Sequence, residues 1–254
     1  MSYLVVVTAG VLSLSYLLVH RKRRATDAAA KRSAQDSAKA RRRVLKIRKP
    51  TRHKMLRGNE DGKDGINTQW LAKLFPLLEK QFLPQASVKY KGVDWKISCY
   101  MELEDSFISG AFQVKPALGL LDTCRPLLDQ CDMLFGNWYR HCYGLKRAKP
   151  YRVHSFLTRY LPLKDQDQLK KHIDGKHLDG SVVVRLPSNC VGGQLKVWDG
   201  RPTQEFHYEM NSGDVVLLDR AVWHQAMPVT EGIKWALVIF YKVDRKGGTT
   251  SATK

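Results

Sequence analysis

Two histidines and an aspartate in the C-terminal half of the sequence offer the atoms of a metal site. His172 and Asp174 are separated by one residue, and side chains at positions i and i+2 of an extended chain point the same way. This spacing suits two ligands on one metal ion. The pair alone is weak evidence, because a second His-x-Asp pair occurs at His177 and Asp179. His224 is the candidate third ligand, and a core histidine is the alternative interpretation for it.

The order of the residues that follow His172 strengthens the first pair. A turn leads to an apolar strand, and the sequence Gly-Gly-Gln-Leu at 192–195 then indicates a backbone that passes close to a neighbour. Gly213 and Asp214 predict a tight turn into a buried strand that leads to His224. Lys234 follows ten residues later and begins the last apolar strand. A buried lysine needs a partner for its charge.

This ordered pattern resembles the core of the 2-oxoglutarate/Fe(II)-dependent oxygenases, nearest in style to the prolyl 4-hydroxylases. The resemblance covers about a third of the chain, from about Phe156 to Tyr241. That family most often has arginine where Lys234 stands, and lysine in the collagen prolyl hydroxylase type. Tyr160 resembles the strand tyrosine that lines the co-substrate pocket of the family. The other matching residues are His172, Asp174, Gly192, Gly193, Gly213, Asp214 and His224.

The resemblance implies a set of ligands and roles. His172, Asp174 and His224 would hold Fe(II) as a facial triad, which leaves open positions on the metal. Lys234 would bind the far carboxylate of 2-oxoglutarate, with Tyr160 beside it, and O2 would be the second co-substrate. Ascorbate is a candidate reductant. No catalytic residue is implied beyond the metal ligands.

The reaction implied is hydroxylation of a protein side chain, with proline as the first candidate, coupled to decarboxylation of 2-oxoglutarate to succinate. One alternative is oxidative demethylation of nucleic acid by the same superfamily. Another is a catalytically inactive jelly roll that acts as a membrane-tethered adaptor. The intact set of His172, Asp174, His224 and Lys234 argues against an adaptor, which needs none of them.

Most of the positive charge lies in one segment. Residues 20–57 contain 16 Lys or Arg against two acidic residues, and so carry +14 of the net charge of +19. A nucleic-acid groove in the remaining body is therefore not favoured. The basic segment predicts a solvated helical stalk at 21–57 that is attracted to anionic lipid, with RNA as the alternative partner.

The N-terminal segment predicts a membrane anchor. Residues 3–19 contain no charged side chain, and Arg21 to Arg24 follow directly. A helix of about 20 residues spans a hydrocarbon core of about 30 Å. Basic residues on the C-terminal side predict that the rest of the chain faces the cytosol. The membrane is that of the endoplasmic reticulum or the outer mitochondrial membrane, and a cleaved leader is the alternative for the segment.

The predicted fold is of the α+β class. It is a double-stranded β-helix (jelly roll) with N-terminal supporting helices, plus the transmembrane anchor helix. Short β-branched runs separated by turn residues fill the region from Tyr151 onwards, as in a jelly roll. Helices are predicted at 68–82, with Thr68 as the cap, and at 117–143. The predicted segments are an anchor at 1–20, a stalk at 21–57, a linker at 58–65, the oxygenase domain at 66–243 and a disordered tail at 244–254.

Two further residues near the pattern have open interpretations. Arg185 interrupts an apolar strand, which predicts an outward-facing position, although a contact with substrate is the alternative. Cys190 lies in a predicted turn, and nothing in the sequence indicates a thiolate nucleophile. The sequence does not determine the oligomeric state.

Overall fold

The computed structural model describes residues 51–245, except for 64, 83–87, 91–92, 96–99, 104–117 and 201. The predicted anchor at 1–20, most of the predicted stalk and the end of the tail lie outside the described residues. Within the described part of the chain, no helix is both long and apolar enough to cross a membrane. The chain from Thr51 onwards forms one compact unit.

Two antiparallel sheets form the body of this unit, as the predicted jelly roll requires. The larger sheet has seven strands and the smaller sheet has four. Two short strands, β2 (Val88–Tyr90) and β3 (Val93–Trp95), pair with each other. The larger sheet runs in the order β1 (His53–Leu56), β11 (Val215–Asp219), β7 (Gly180–Arg185), β13 (Val229–Asp244), β5 (Lys149–Tyr160) and β4 (Tyr100–Glu102), with β8 (Asn189–Gly192) paired to β13. The smaller sheet runs in the order β10 (Gln204–Tyr208), β9 (Leu195–Asp199), β12 (Trp223–Ala226) and β6 (Leu169–His172).

The interior between the two sheets has its own apolar cluster. Leu195 and Val197 from the smaller sheet pack with Val216 and Leu218 from the larger sheet. These four side chains are at most 3% exposed. Burial of this kind stabilises the fold by roughly 1.5–3 kcal/mol for each large apolar side chain. The cluster fixes the smaller sheet against the larger one, and both sheets contribute to the site described below.

Two helices cover the outer face of the larger sheet. They are α1 (Thr68–Gln81) and α2 (Leu118–Tyr143). Helix α1 buries Leu71, Leu74 and Leu78, whose spacing puts them on one helical face. Its N-cap is Asn67 rather than the predicted Thr68, because the Asn67 carboxamide oxygen accepts a hydrogen bond from the Trp70 N–H at 2.8 Å.

The folded unit begins before the predicted boundary at Ile66. Residues 53–56, which the sequence places in a helical stalk, form the edge strand β1 and pair with β11. The Arg52 guanidinium donates to the carboxylate of Asp199 at 2.8 Å, and Arg57 forms an ion pair with Asp214. Both carboxylates are buried, so the two arginines compensate charges that the domain needs to neutralise.

The predicted linker at 58–65 is also part of the fold. The Gly58 N–H donates to Asp214 at 2.9 Å, and the Asn59 N–H donates to the Ile66 carbonyl at 3.1 Å. Gly58 approaches the backbone of Gly213 so closely that a Cβ atom there would lie 2.7 Å from it. The basic composition of 51–57 and the Gly/Asp composition of 58–65 therefore do not indicate a stalk and a linker.

Truncation tests this revised boundary. We expect a chain that starts at residue 51 to unfold cooperatively, because it keeps β1 and both arginines. A chain that starts at residue 58 loses β1 and leaves Asp199 and Asp214 without their arginines. Its free energy of unfolding should be lower by about 3 kcal/mol or more, as measured by urea denaturation. Equal stability of the two chains would contradict the assignment of β1 to the domain.

Candidate metal centre

The two candidate histidine ligands lie opposite each other on neighbouring strands. His172 is the last residue of β6, and His224 is the second residue of β12. The antiparallel register pairs His224 with His172. Their ring centroids are 4.3 Å apart. Strand pairing alone therefore brings together two side chains that are far apart in the sequence.

Asp174 joins the pair from the loop that follows β6. Its Oδ1 atom lies 3.6 Å from His172 Nε2 and 3.4 Å from His224 Nε2. Its other oxygen, Oδ2, accepts a hydrogen bond from the Ser181 hydroxyl at 2.5 Å. Ser181 thus occupies one carboxylate oxygen and leaves Oδ1 facing the two imidazoles.

Backbone hydrogen bonds orient both imidazole rings. His172 Nδ1 lies 2.7 Å from the Lys170 carbonyl oxygen, and His224 Nδ1 lies 3.2 Å from the Val222 carbonyl oxygen. Both contacts fit the tautomer in which Nδ1 carries the proton. The Nε2 lone pairs are then free for a metal ion, which is the usual arrangement around metal-ligating histidines.

The burial of the three side chains is unequal. Those of Asp174 and His224 are 5% and 7% exposed, whereas that of His172 is 24% exposed. Burial raises the pKa of Asp174, but the charge of His224, the contacts with both imidazoles and the hydrogen bond from Ser181 outweigh it and hold this pKa below its usual value. Burial lowers the pKa of His224, but the Asp174 charge and hydrogen bond outweigh it and hold this pKa above its usual value. The carboxylate and the imidazoles thus stabilise each other.

The donor set fits the implied metal. One ligand atom from each of His172, Asp174 and His224 lies within 4.8 Å of the other two. Two imidazole nitrogens and one carboxylate oxygen that leave other positions open are the set found in non-haem Fe(II) oxygenases. Within the described part of the chain, this is the one group of three potential ligands.

The rival pair does not join this cluster. His177 is exposed on the loop before β7. The Asp179 carboxylate accepts hydrogen bonds from the Val243 N–H at 2.9 Å and from the Arg245 guanidinium at 2.6 Å. Asp179 therefore connects the start of β7 to the end of β13. Its carboxylate is engaged there and does not form a metal site with His177.

The two predicted co-substrate residues are neighbours in the larger sheet. Lys234 on β13 pairs with Tyr160 on β5, and the Lys234 ammonium lies 5.1 Å from the centroid of the Tyr160 ring. Gly193 has a positive φ of 74°, and a Cβ atom there would lie 2.9 Å from Lys234 Cδ. The second glycine of the Gly-Gly-Gln-Leu sequence thus makes room for the lysine side chain.

Lys234 is buried among groups that do not neutralise it. The residue is 4% exposed, and no carboxylate in the described ranges forms an ion pair with it. Burial, with a smaller contribution from the charge of Arg185, lowers the pKa of Lys234 to about 7. A buried cation of this kind is stabilised when an anion binds beside it.

Sequence reasoning missed Ser181 and favoured the wrong orientation for Arg185. Ser181 had no visible signal, because its contact with Asp174 depends on the turn between them. Arg185 was expected to face outwards, but this was wrong. It lies on the same face of β7 as Ser181, at the even spacing that puts strand side chains on one side.

The chain is similar to known proteins both in its sequence and in its fold. A family model described as the 2OG-Fe(II) oxygenase superfamily matches residues 155–242. No curated protein matches the sequence. An oxidoreductase of the 2OG-Fe(II) oxygenase family from Burkholderia pseudomallei has a similar fold, with a TM-score of 0.52, 16% identity, and coverage of 75% of this chain and 85% of that one. A prolyl-4-hydroxylase from Pseudomonas putida aligns with a TM-score of 0.48, 14% identity, and coverage of 76% and 92%.

Replacement of Ser181 tests its role beside Asp174. We expect Ser181→Ala to weaken Mn(II) or Co(II) binding about 10- to 100-fold, because groups that orient a metal ligand have effects of this size. The measurement is a metal titration of the purified protein. An unchanged metal affinity would show that the hydroxyl does not orient Asp174.

The lowered pKa of Lys234 predicts a pH dependence of stability. Between pH 7 and about 10 the unfolded chain holds a proton on Lys234 that the folded chain has lost, so stability rises with pH in this window. Lys234→Met should remove this dependence. The free energy of unfolding of the wild type, relative to Lys234→Met, should rise by roughly 1 kcal/mol per pH unit from pH 7.5 to 8.5. Parallel pH profiles of the two proteins would contradict this expectation.

Proposed function

We propose that this chain, which belongs to the 2-oxoglutarate/Fe(II)-dependent oxygenase superfamily, hydroxylates a protein side chain. The observation that carries the proposal is the cluster of His172, Asp174 and His224, whose ligand atoms lie within 4.8 Å of one another. Hydroxylation is coupled to the decarboxylation of 2-oxoglutarate to succinate, with O2 as the oxidant. Ascorbate is proposed as a reductant that maintains Fe(II).

The residues of the site have three roles: they bind the metal, orient a metal ligand and bind the co-substrate. His172, Asp174 and His224 hold Fe(II), which when bound supplies the activation of O2. Ser181 keeps one oxygen of Asp174 occupied, so that the other oxygen faces the metal. Lys234 and Tyr160 hold the far carboxylate of 2-oxoglutarate, and the low exposure of Lys234 keeps water away from that contact.

The candidate metal centre is accessible to solvent on one side, which suits a bulky substrate. The side chain of His172 is 24% exposed, whereas those of the other two ligands are almost buried. The open side of the metal centre is therefore the side of His172. A protein side chain presented on a loop can approach from there, and proline is the first candidate because the sequence pattern resembles that of prolyl hydroxylases.

The segment before Thr51 is proposed to tether the enzyme. Residues 1–20 would anchor it in the endoplasmic reticulum or outer mitochondrial membrane, with the catalytic domain in the cytosol. The basic residues that follow support contact with anionic lipid. Membrane fractionation of the full chain tests this, and recovery in the soluble fraction would contradict it.

A turnover assay tests the proposed reaction. The full chain, supplied with Fe(II), O2 and 2-oxoglutarate, should form succinate faster when a peptide pool is added. His224→Ala should reduce turnover by at least about 100-fold, because it removes a ligand and not merely a group that orients one. Succinate and hydroxylated peptide are measured by mass spectrometry.

His177→Ala is the matched control for this experiment. It removes a histidine of the neighbouring His-x-Asp pair, which lies exposed outside the cluster, and should leave turnover unchanged. Equal turnover by wild type and His224→Ala would overturn the proposed function. Stimulation by nucleic acid but not by peptides would instead favour oxidative demethylation.

A further inference from the structure

Two cations share the inner face of the larger sheet. The register of β13 and β7 pairs Ala236 with Arg185. Lys234 is two residues before Ala236, and side chains two apart on a strand face the same side. Arg185 and Lys234 therefore point to the same side of the sheet, which is also the side of Ser181 and the metal centre.

Neither cation has an adequate counterion. The Arg185 guanidinium donates to the sulfur of Cys190 at 3.0 Å, and a thiol sulfur is a weak acceptor. Lys234 contacts the face of the Tyr160 ring. No ion pair joins Arg185 or Lys234 to a carboxylate of the described residues. Two like charges this poorly compensated destabilise each other unless an anion binds between them.

We propose that Arg185 is a second cationic contact for the far carboxylate of the 2-oxo acid and, with Lys234, selects acids that carry this carboxylate. The proposal rests on the proposed function. A guanidinium presents a planar set of donors that matches a carboxylate, and a carboxylate has enough lone pairs to accept from both cations. The contact with Cys190 fixes the position of the guanidinium but is weak enough to be exchanged for a carboxylate.

The experiment measures binding rather than turnover. The full chain is loaded with Mn(II) under anaerobic conditions and titrated by calorimetry with 2-oxoglutarate and with 2-oxovalerate, which lacks the far carboxylate. Arg185→Gln should weaken 2-oxoglutarate binding by about 10- to 100-fold, as expected for a hydrogen bond to a charged group. It should leave the affinity for 2-oxovalerate unchanged. Arg185→Lys retains the charge and should recover part of the lost affinity.

Two controls separate binding from structure. Arg125→Gln removes the same charge from an exposed position on α2 and should not change either affinity. Cys190→Ala removes the sulfur that Arg185 contacts and should keep the affinity for 2-oxoglutarate within about twofold. If Arg185 merely fixed β8 through Cys190, Arg185→Gln and Cys190→Ala would each lower the affinity for both 2-oxo acids to the same extent. That result would overturn the proposal.

The outcomes also distinguish this inference from the proposed function. Mn(II)-dependent binding of 2-oxoglutarate by the wild type, with unchanged affinity in Arg185→Gln, would overturn the role of Arg185 alone. A wild type that binds neither Mn(II) nor 2-oxoglutarate would overturn both proposals. A selective loss of 2-oxoglutarate affinity in Arg185→Gln would support both.

Discussion

Antiparallel pairing between β6 and β12 is the constraint on which the site depends. It sets His224 opposite His172, and both rings then point into the space between the sheets. A shift of the register by one residue would turn one imidazole to the outer face. The apolar cluster between the sheets adjoins this pair, because Val197 of β9 lies opposite His224 and Val222 directly precedes β12. A shift of β12 would therefore also disturb the packing of the interior.

The two ends of this interior differ in their charge balance. At one end a buried carboxylate, Asp174, is stabilised by two imidazoles and a hydroxyl. At the other end the partners of Lys234 and Arg185 among the described residues are an aromatic ring and a sulfur atom. An anion with two acidic groups would be attracted to the second end by charge and oriented along the interior. The field of the protein therefore favours one direction of binding for such a molecule.

Much of the site was predictable because its residues follow a fixed order along the chain. The positions of His172, Asp174, His224 and Lys234 could be proposed from their order and its resemblance to a known family, and the structure brings the three candidate ligands together. Arg185 was misjudged because β7 is buried on both faces, by helices on one side and by the interior on the other. In such a strand, apolar neighbours do not reveal which way a charged side chain points.

The domain boundary was misplaced for a related physical reason. Strand β1 is short and carries basic residues, so its sequence resembles the solvated segment before it. Only the buried carboxylates of Asp199 and Asp214, far along the chain, indicate that Arg52 and Arg57 belong to the fold. A single sequence cannot show such a pairing, because nothing local distinguishes these arginines from those before them.

The edge position of β1 also has a consequence for how the chain folds during synthesis. Arg57 and Asp214 are separated by 157 positions. Strand β1 is therefore synthesised long before its partner β11 and cannot pair until most of the chain has been made. Contacts of such long range slow folding. Pairing of β1 with β11 is thus a late event, and the edge of β11 stays open to other chains until then.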